Sequence, residues 1–269
     1  MSSRARLFVT VLIVLIGGIS FRLGATFGRY YEFHNLVYEL PRRDNIEASL
    51  RRLLRLQPIY GEYAQDLWVV LTLGRGKTSG YYVDVGSGDG IEDSNTYLLD
   101  RMGWQGVCIE PFPSNMERRT CQLFPQPVFS ESGKKVLFRA AGDVGGIDSH
   151  LGRYKDRLGD APLVDLVTAT LDEILEKAKA PSWIDYMNID VEGAEYEVLR
   201  GFSLDRYQIG AFTIEHNFEI EKRELVHKLL AANGYVRVRS WEVDDWYVHR
   251  DLASKYRVFI TFSSRRWLF

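Results

Sequence analysis

Residues Tyr81 to Gly90 read Tyr-Tyr-Val-Asp-Val-Gly-Ser-Gly-Asp-Gly, an apolar strand that runs straight into an Asp-x-Gly-x-Gly-x-Gly turn. No other feature constrains the fold as much. Glycines at Gly86, Gly88 and Gly90 let the backbone bend sharply and approach a ligand with no Cβ in the way. The dinucleotide form of this turn is Gly-x-Gly-x-x-Gly, whose third glycine allows close helix–strand packing. Here that third position is Ile91, and the glycine comes one residue earlier. Asp84 places a carboxylate at the strand tip, which is awkward beside a pyrophosphate but suits a ligand with an ammonium group. S-adenosylmethionine is such a ligand, and it carries no phosphate. Asp84, Gly86, Ser87, Gly88 and Gly90 are therefore the candidate cofactor-binding residues of the turn.

A second marker lies about twenty residues on, where Gly106-Val-Cys-Ile-Glu110 reads as the next strand. An acid at that distance accepts hydrogen bonds from ribose hydroxyls in nucleotide-binding α/β units, so Glu110 joins the candidates. Strands and helices then alternate, which predicts an α/β chain with a mainly parallel sheet and helices on both faces. Strands are expected near 81–86, 106–110, 184–190 and 209–215, with helices near 93–102, 114–123, 193–200 and 222–232. Short β-like runs fall at Lys135–Arg139 and Val164–Thr170, followed by a helix over Leu171–Lys179 capped by Thr170 or Asp172. Tyr235–Trp241, Trp246–His249 and Arg257–Phe262 read as closing strands, some of them antiparallel. Ligands bind outside the carboxyl ends of strands in such sheets. That rule gathers Asp190, Glu192, Glu215, His216 and Asn217 on the rim that holds Asp84 and Glu110. Capping explains Glu195 and is one of two open readings for Glu192, but explains Asp190 and Glu215 less well.

The chain has 269 residues, 46% of them hydrophobic and 26% charged, enough for one substantial core with appendages. A formal net charge of -2 argues against a general nucleic-acid binder. Cys108 and Cys121 fall in an expected strand and an expected helix, with no Cys-x-x-Cys pair. They read as two buried thiols rather than a disulfide or a zinc site. Leu7 to Phe21 carries no charge and is short for a bilayer, but Leu7 to Phe27 is long enough if Arg22 reaches back to the headgroups. No Ala-x-Ala site follows, so the reading is an uncleaved single-pass anchor rather than a signal peptide. Arg22, Arg29, Arg42 and Arg43 outnumber Arg4 and Arg6, which points the rest of the chain to the cytoplasm. The absence of acids before Glu32 leaves a mitochondrial membrane open. Asp44 with Glu47 marks a helix start, and Tyr60 to Leu73 reads as a second helix. The expected organisation is an anchor over 1–30, helices and linker over 31–78 that can also meet protein partners, and one domain over 79–269.

Several further segments join the loop in one pattern. Gln65-Asp66-Leu-Trp, Val83 to Gly90, Ser94-Asn-Thr-Tyr97, Gly103-Trp-Gln-Gly106, Ile109-Glu-Pro111, Thr170-Leu-Asp172 and Asp190-Val-Glu-Gly-Ala-Glu195 resemble the FkbM family of methyltransferases. The resemblance runs in order over roughly residues 60–262. It implies a Rossmann-like class I methyltransferase fold with an antiparallel C-terminal edge. The implied reaction is methyl transfer from S-adenosylmethionine to a hydroxyl oxygen of a sugar or secondary metabolite. It implies that Asp84, Gly86, Gly88 and Gly90 hold the methionine end, Glu110 the ribose, and Asp190 the region near the sulfonium. Gln126-Pro127-Val128 departs from the family's usual small residue before a strand.

Such a transfer is an in-line displacement, so most of the catalysis is positioning. An alcohol also needs a base or a metal to take its proton. Asp190, Glu215 and His216 are the candidate catalytic residues, and Asp190, Glu215 and Asn217 the candidate Mg²⁺ ligands, since hard oxygen donors suit that ion. Asp244-Asp245-Trp246-Tyr247 is a candidate wall of the acceptor pocket. With the anchor, the expected acceptor is a glycan, glycolipid or other small molecule near the bilayer. Two rivals are a non-catalytic methyltransferase-like subunit of a membrane complex and a nicotinamide-dependent oxidoreductase, which the misplaced third glycine disfavours.

Overall fold

Strands that run as continuous apolar stretches belong in the middle of a parallel sheet, where both faces are covered. Tyr81–Val85, Trp183–Ile189 and Gln208–Glu215 approach this character, interrupted inside only by Asp84, Asp185, Asn188 and Thr213, and each is buried after its first residue. A computed structural model describes residues 60–73, 77, 79–142, 144–152, 155–156 and 158–253. The anchor expected at Leu7–Phe27, the helix start expected at Asp44 and the closing strand expected at Arg257–Phe262 lie outside the described residues. Among those residues no helix is long and apolar enough to cross a membrane.

In chain order the elements are α1 (Gln65–Thr72), β1 (Tyr81–Val85), α2 (Tyr97–Arg101), β2 (Gln105–Ile109), a 3₁₀ turn (Met116–Arg118) and β3 (Gln122–Phe124). There follow β4 (Lys135–Arg139), β5 (Gly146–Ile147), β6 (Leu163–Val167), α3 (Leu171–Lys177), β7 (Trp183–Ile189) and α4 (Glu195–Arg200). The chain continues through β8 (Gln208–Glu215), α5 (Ile220–Ala232), β9 (Tyr235–Trp241), β10 (Asp244–His249) and α6 (Arg250–Ala253). Seven strands form one sheet in the order β3-β2-β1-β7-β8-β10-β9. β10 runs antiparallel to both of its neighbours. The antiparallel strand is thus slotted one place in from the edge, and β9 closes the sheet.

The period-2 alternation of each strand divides the core. Val83, Val85, Met187, Ile189, Phe212 and Ile214 pack with α3, α4 and α5 on one face. Tyr82, Cys108, Tyr186, Ala211 and Trp246 pack with α1 and α2 on the other. The helix α1 is part of this second layer, with Leu67 and Trp68 buried and Trp68 4.8 Å from Trp246 ring to ring. A second sheet, β5-β4-β6, is inserted between β3 and α3. Its Phe138 and Ile147 pack on Phe129 and on Ala194 at the head of α4.

Two local expectations change. The helix expected at 93–102 shrinks to α2, because side chains take over the preceding turn. Asp89 Oδ1 accepts from the Ile91 and Glu92 amides, and Ser94 Oγ from the Thr96 and Tyr97 amides. The helix expected at 114–123 is only a 3₁₀ turn, after which β3 pairs with β2 in parallel. That pairing overturns the reading of two separate thiols. Cys121 now lies beside Cys108, with Cα atoms 5.7 Å apart, and the two form a disulfide. Closing a loop of this size stabilises a fold by about 3 kcal/mol. The double substitution Cys108→Ser, Cys121→Ser is expected to lower the unfolding free energy by about that amount in urea. Unreduced chain should offer no thiol to an alkylating reagent, and an unchanged midpoint or two reactive thiols would refute the pairing.

Candidate functional site

The carboxyl ends of β1, β2, β7 and β8 open on a cavity of about 330 Å³, roofed by the inserted sheet and bordered by the segment before α1. The glycine turn forms one wall. Gly86 and Ser87 donate their amides to the Ile109 carbonyl at 2.9 and 3.2 Å, which ties the turn to β2. Gly86 has φ 84°, and a Cβ on it would run into the Asp190 backbone carbonyl. Only glycine lets β1 and the loop after β7 approach this closely. Gly86, Ser87 and Gly88 line the cavity; Gly90 does not. Gly90 shapes the turn instead, its amide on the Ser87 carbonyl at 2.9 Å and its own carbonyl accepting from Arg119 Nη1 at 2.7 Å.

Asp84 lines the cavity but is only 1% exposed. Its Oδ2 accepts from Thr96 Oγ1 at 2.5 Å and its Oδ1 from Asn188 Nδ2 at 3.1 Å. Burial raises its pKa, and Arg119 works against that rise. Arg119 was not foreseen, yet it organises this wall. It bonds Asp100 at 2.6 Å and Thr96 Oγ1 at 2.6 Å, reaches Tyr82 and Ser94, and stands 3.9 Å from Asp84. No periodicity marks it, because it sits in a turn and all its partners are distant in the chain.

Glu110 also lines the cavity, with Oε2 accepting from the Gly88 amide at 3.2 Å and Oε1 from the Phe112 amide at 3.0 Å. The acid after β2 is thus joined to the turn after β1, as the strand pairing demands. Gln126, Pro127 and Val128 line the same end.

Across the cavity stand Asp190, Glu192 and Glu215, whose carboxylate oxygens lie within 4.8 Å of one another. Asp190 and Glu215 share a hydrogen bond. Burial pushes the Asp190 carboxyl well above the usual carboxylate range, with Glu192 and Asp244 adding to the rise. Burial, then Asp190, does the same to Glu215. Glu192, gathered on the rim by the strand-end rule with capping as its other reading, lines the cavity, is buried and has φ 59°. Glu195 behaves as expected, holding the Val191 and Gly193 amides.

Two expected residues turn away. Glu215 and His216 are adjacent at the end of β8, so they face opposite sides of the sheet. Glu215 faces the cavity and pairs in register with Asp244. His216 instead lies on the far side, its Nδ1 accepting from the Phe218 amide at 3.0 Å and its Nε2 3.9 Å from Asp245. Burial lowers its pKa to about 4. It is a neutral, structural imidazole at neutral pH and is placed to take no proton from a ligand in the cavity. Asn217 does not line the cavity either. It braces the acids, its Nδ2 donating to Glu215 at 2.6 Å and Glu192 at 3.1 Å. The hard-oxygen set is therefore Asp190, Glu192 and Glu215.

Asp244 and Asp245 are buried strand residues that divide between the two sides. Asp244 lines the cavity, takes a hydrogen bond from Gln65 Nε2 at 2.6 Å, and is lifted by burial to about 7. Asp245 is bound by Arg223, Arg237 and Ser240 behind the sheet. A cavity with a glycine turn on one wall and basic carboxylates on the other can hold a nucleoside-like ligand and move a proton beside it. A family model, the methyltransferase FkbM domain, matches residues 84–237. No curated protein and no solved structure matches the chain.

Proposed function

The chain belongs to the FkbM methyltransferase family, and on that premise we propose that it transfers a methyl group from S-adenosylmethionine to a hydroxyl oxygen of a glycan, glycolipid or small metabolite. One observation carries this reading: a single cavity is faced by the Gly86–Gly88 turn on one side and by the Asp190–Glu215 pair on the other. The residues suit the cofactor. Gly86, Ser87 and Gly88 line the cavity, Asp84 and Glu110 line it beside them, and among the described residues the buried Ser87 Oγ has no partner. Asp84, Gly86, Ser87 and Gly88 would hold the methionine end, and Glu110 the ribose.

When bound, S-adenosylmethionine supplies an electrophilic methyl group. Transfer would exchange its carbon–sulfur bond for a carbon–oxygen bond to the acceptor, with S-adenosylhomocysteine as the leaving group. The protein's part is to align the acceptor and to receive the hydroxyl proton. A raised carboxylate at Asp190 or Glu215 is the stronger base for that proton. The same oxygens, with Glu192, would suit Mg²⁺, whose charge would make the hydroxyl more acidic.

The anchor at residues 7–27 would keep the site beside a membrane, and residues 31–78 could meet protein partners. The disulfide bears on orientation, because such bonds persist in oxidising compartments. It favours a lumenal or external domain over the cytoplasmic one suggested by the arginines. Alkylation in intact cells decides this: two reactive thiols would restore the cytoplasmic orientation.

The test of function is transfer of labelled methyl to membrane and metabolite extracts, with and without EDTA. Wild-type protein should label an acceptor, and Asp190→Asn should lower the rate on the order of 100-fold while still binding S-adenosylhomocysteine. Cofactor binding without transfer to any extract would favour the non-catalytic subunit.

A further inference from the structure

On the methyltransferase reading, the charge that lines the cavity narrows the acceptor. Among the described residues, every charged side chain that lines the cavity is a carboxylate. Buried carboxylates are ordinarily paired, because an uncompensated charge in a low-dielectric interior is costly. This fold pairs them where they serve structure. Asp100 has Arg119, and Asp245 has Arg223 and Arg237. Asp84, which also faces the cavity, has Arg119 at 3.9 Å, but Asp190, Glu215 and Asp244 are treated differently. Asp190 has Glu192 and Asp244 as its strongest charged neighbours, and Asp244 has Glu62 and Asp245. Among the described residues, no ion pair joins Asp190, Glu215 or Asp244 to an Arg or Lys.

A second observation is independent of the acids. Asn188 Nδ2 must point at Asp84, which accepts only, so Asn188 Oδ1 faces Asn95 Nδ2 at 3.0 Å. That fixes the Asn95 amide. Among the described residues its Oδ1 is left without a donor, in a residue 8% exposed that lines the cavity, close to Gly61 and Gln65. An unmet acceptor and carboxylates with no cationic partner, lining one cavity, ask for the same thing, a ligand rich in N–H donors and positive charge.

We propose that the methyl acceptor carries an ammonium group, held at the Asp244 end of the cavity between the segment before α1 and the turn joining β9 to β10. The methylated hydroxyl would then lie on the same molecule, nearer Asp190 and Glu215. Acceptors bearing phosphate, sulfate or carboxylate are excluded by the same wall.

The probes are glucamine, sorbitol and gluconate, one six-carbon polyol ending in an amine, a hydroxyl or a carboxylate. Each is titrated against the full chain in detergent, saturated with S-adenosylhomocysteine. Glucamine should bind on the order of tenfold more tightly than sorbitol, the worth of one charge-assisted hydrogen bond, and gluconate least of all. Asp244→Asn should remove the amine preference. Equal binding of the three probes, or binding of none, would overturn the proposal. A preference that appears only with Mg²⁺ and vanishes in EDTA would overturn it too, by assigning the charge to a metal. Failure to bind S-adenosylhomocysteine is a separate result, and it would strike the methyltransferase reading itself.

Discussion

Gly86→Val is expected to abolish S-adenosylhomocysteine binding, by on the order of 100-fold or more. Gly86 has φ 84°, where a β-branched residue is strained by its own backbone. The new Cβ would also meet the Asp190 carbonyl, which cannot move freely, because the Asp190 amide is bonded to the Val85 carbonyl at 2.9 Å. Either β1 parts from the loop after β7 or the turn rotates, and both disturb the cavity. Gly86→Ala carries the same clash with less bulk and keeps the test alive if the valine variant does not fold. Circular dichroism reports the fold and titration calorimetry the binding. Tight binding by a folded Gly86→Val chain would mean that the turn does not seat the ligand.

Arg119→Met is expected to be the most destabilising single change outside the hydrophobic core. Its guanidinium is 1% exposed and answers Asp100 and Asp84, the Gly90 carbonyl and Thr96 together. Removing one partner of such a buried group costs about 3–5 kcal/mol, a large part of a typical total of about 5–15 kcal/mol. Lysine should not rescue it, since one ammonium cannot reproduce a planar fork with partners on several sides. The loss should also depend on pH. Without Arg119 the Asp84 carboxyl loses the charge that opposes its raised pKa, so its folded value climbs further above the unfolded one. An acid shifted upward stabilises the fold while protonated and loses that contribution as pH rises through the window between the two values. The variant should therefore unfold at a urea concentration closer to wild type at acid pH than at neutral pH. A gap that is the same at both would argue that Arg119 acts by packing rather than by charge.

What could be read from the sequence follows from the range of the forces involved. β1, β7 and β8 were legible because a buried parallel strand shows as a mostly apolar run, broken here only by a few polar residues such as Asp84, Asn188 and Thr213, and the turn after β1 because its glycines are required locally. Asp84, Glu110, Asp190 and Glu215 followed from a rule about strand ends, and all four line the cavity. His216 failed for a reason also present in the chain: neighbours on a strand face opposite ways, so Glu215 and His216 could not both point inward. Arg119 and the Asn95–Asn188–Asp84 chain of amides were hidden, since their partners are brought together only by the fold. The disulfide was hidden behind a three-residue edge strand, Gln122–Phe124, too short to show a period.

The proposed function requires the cavity beneath the inserted sheet to bind S-adenosylmethionine, and titration of S-adenosylhomocysteine into the purified, folded wild-type chain tests this. Saturable one-to-one binding and a raised unfolding temperature are expected, as mass action requires of a ligand that prefers the native state. A folded protein that gives neither heat nor thermal shift at any concentration reached would contradict it.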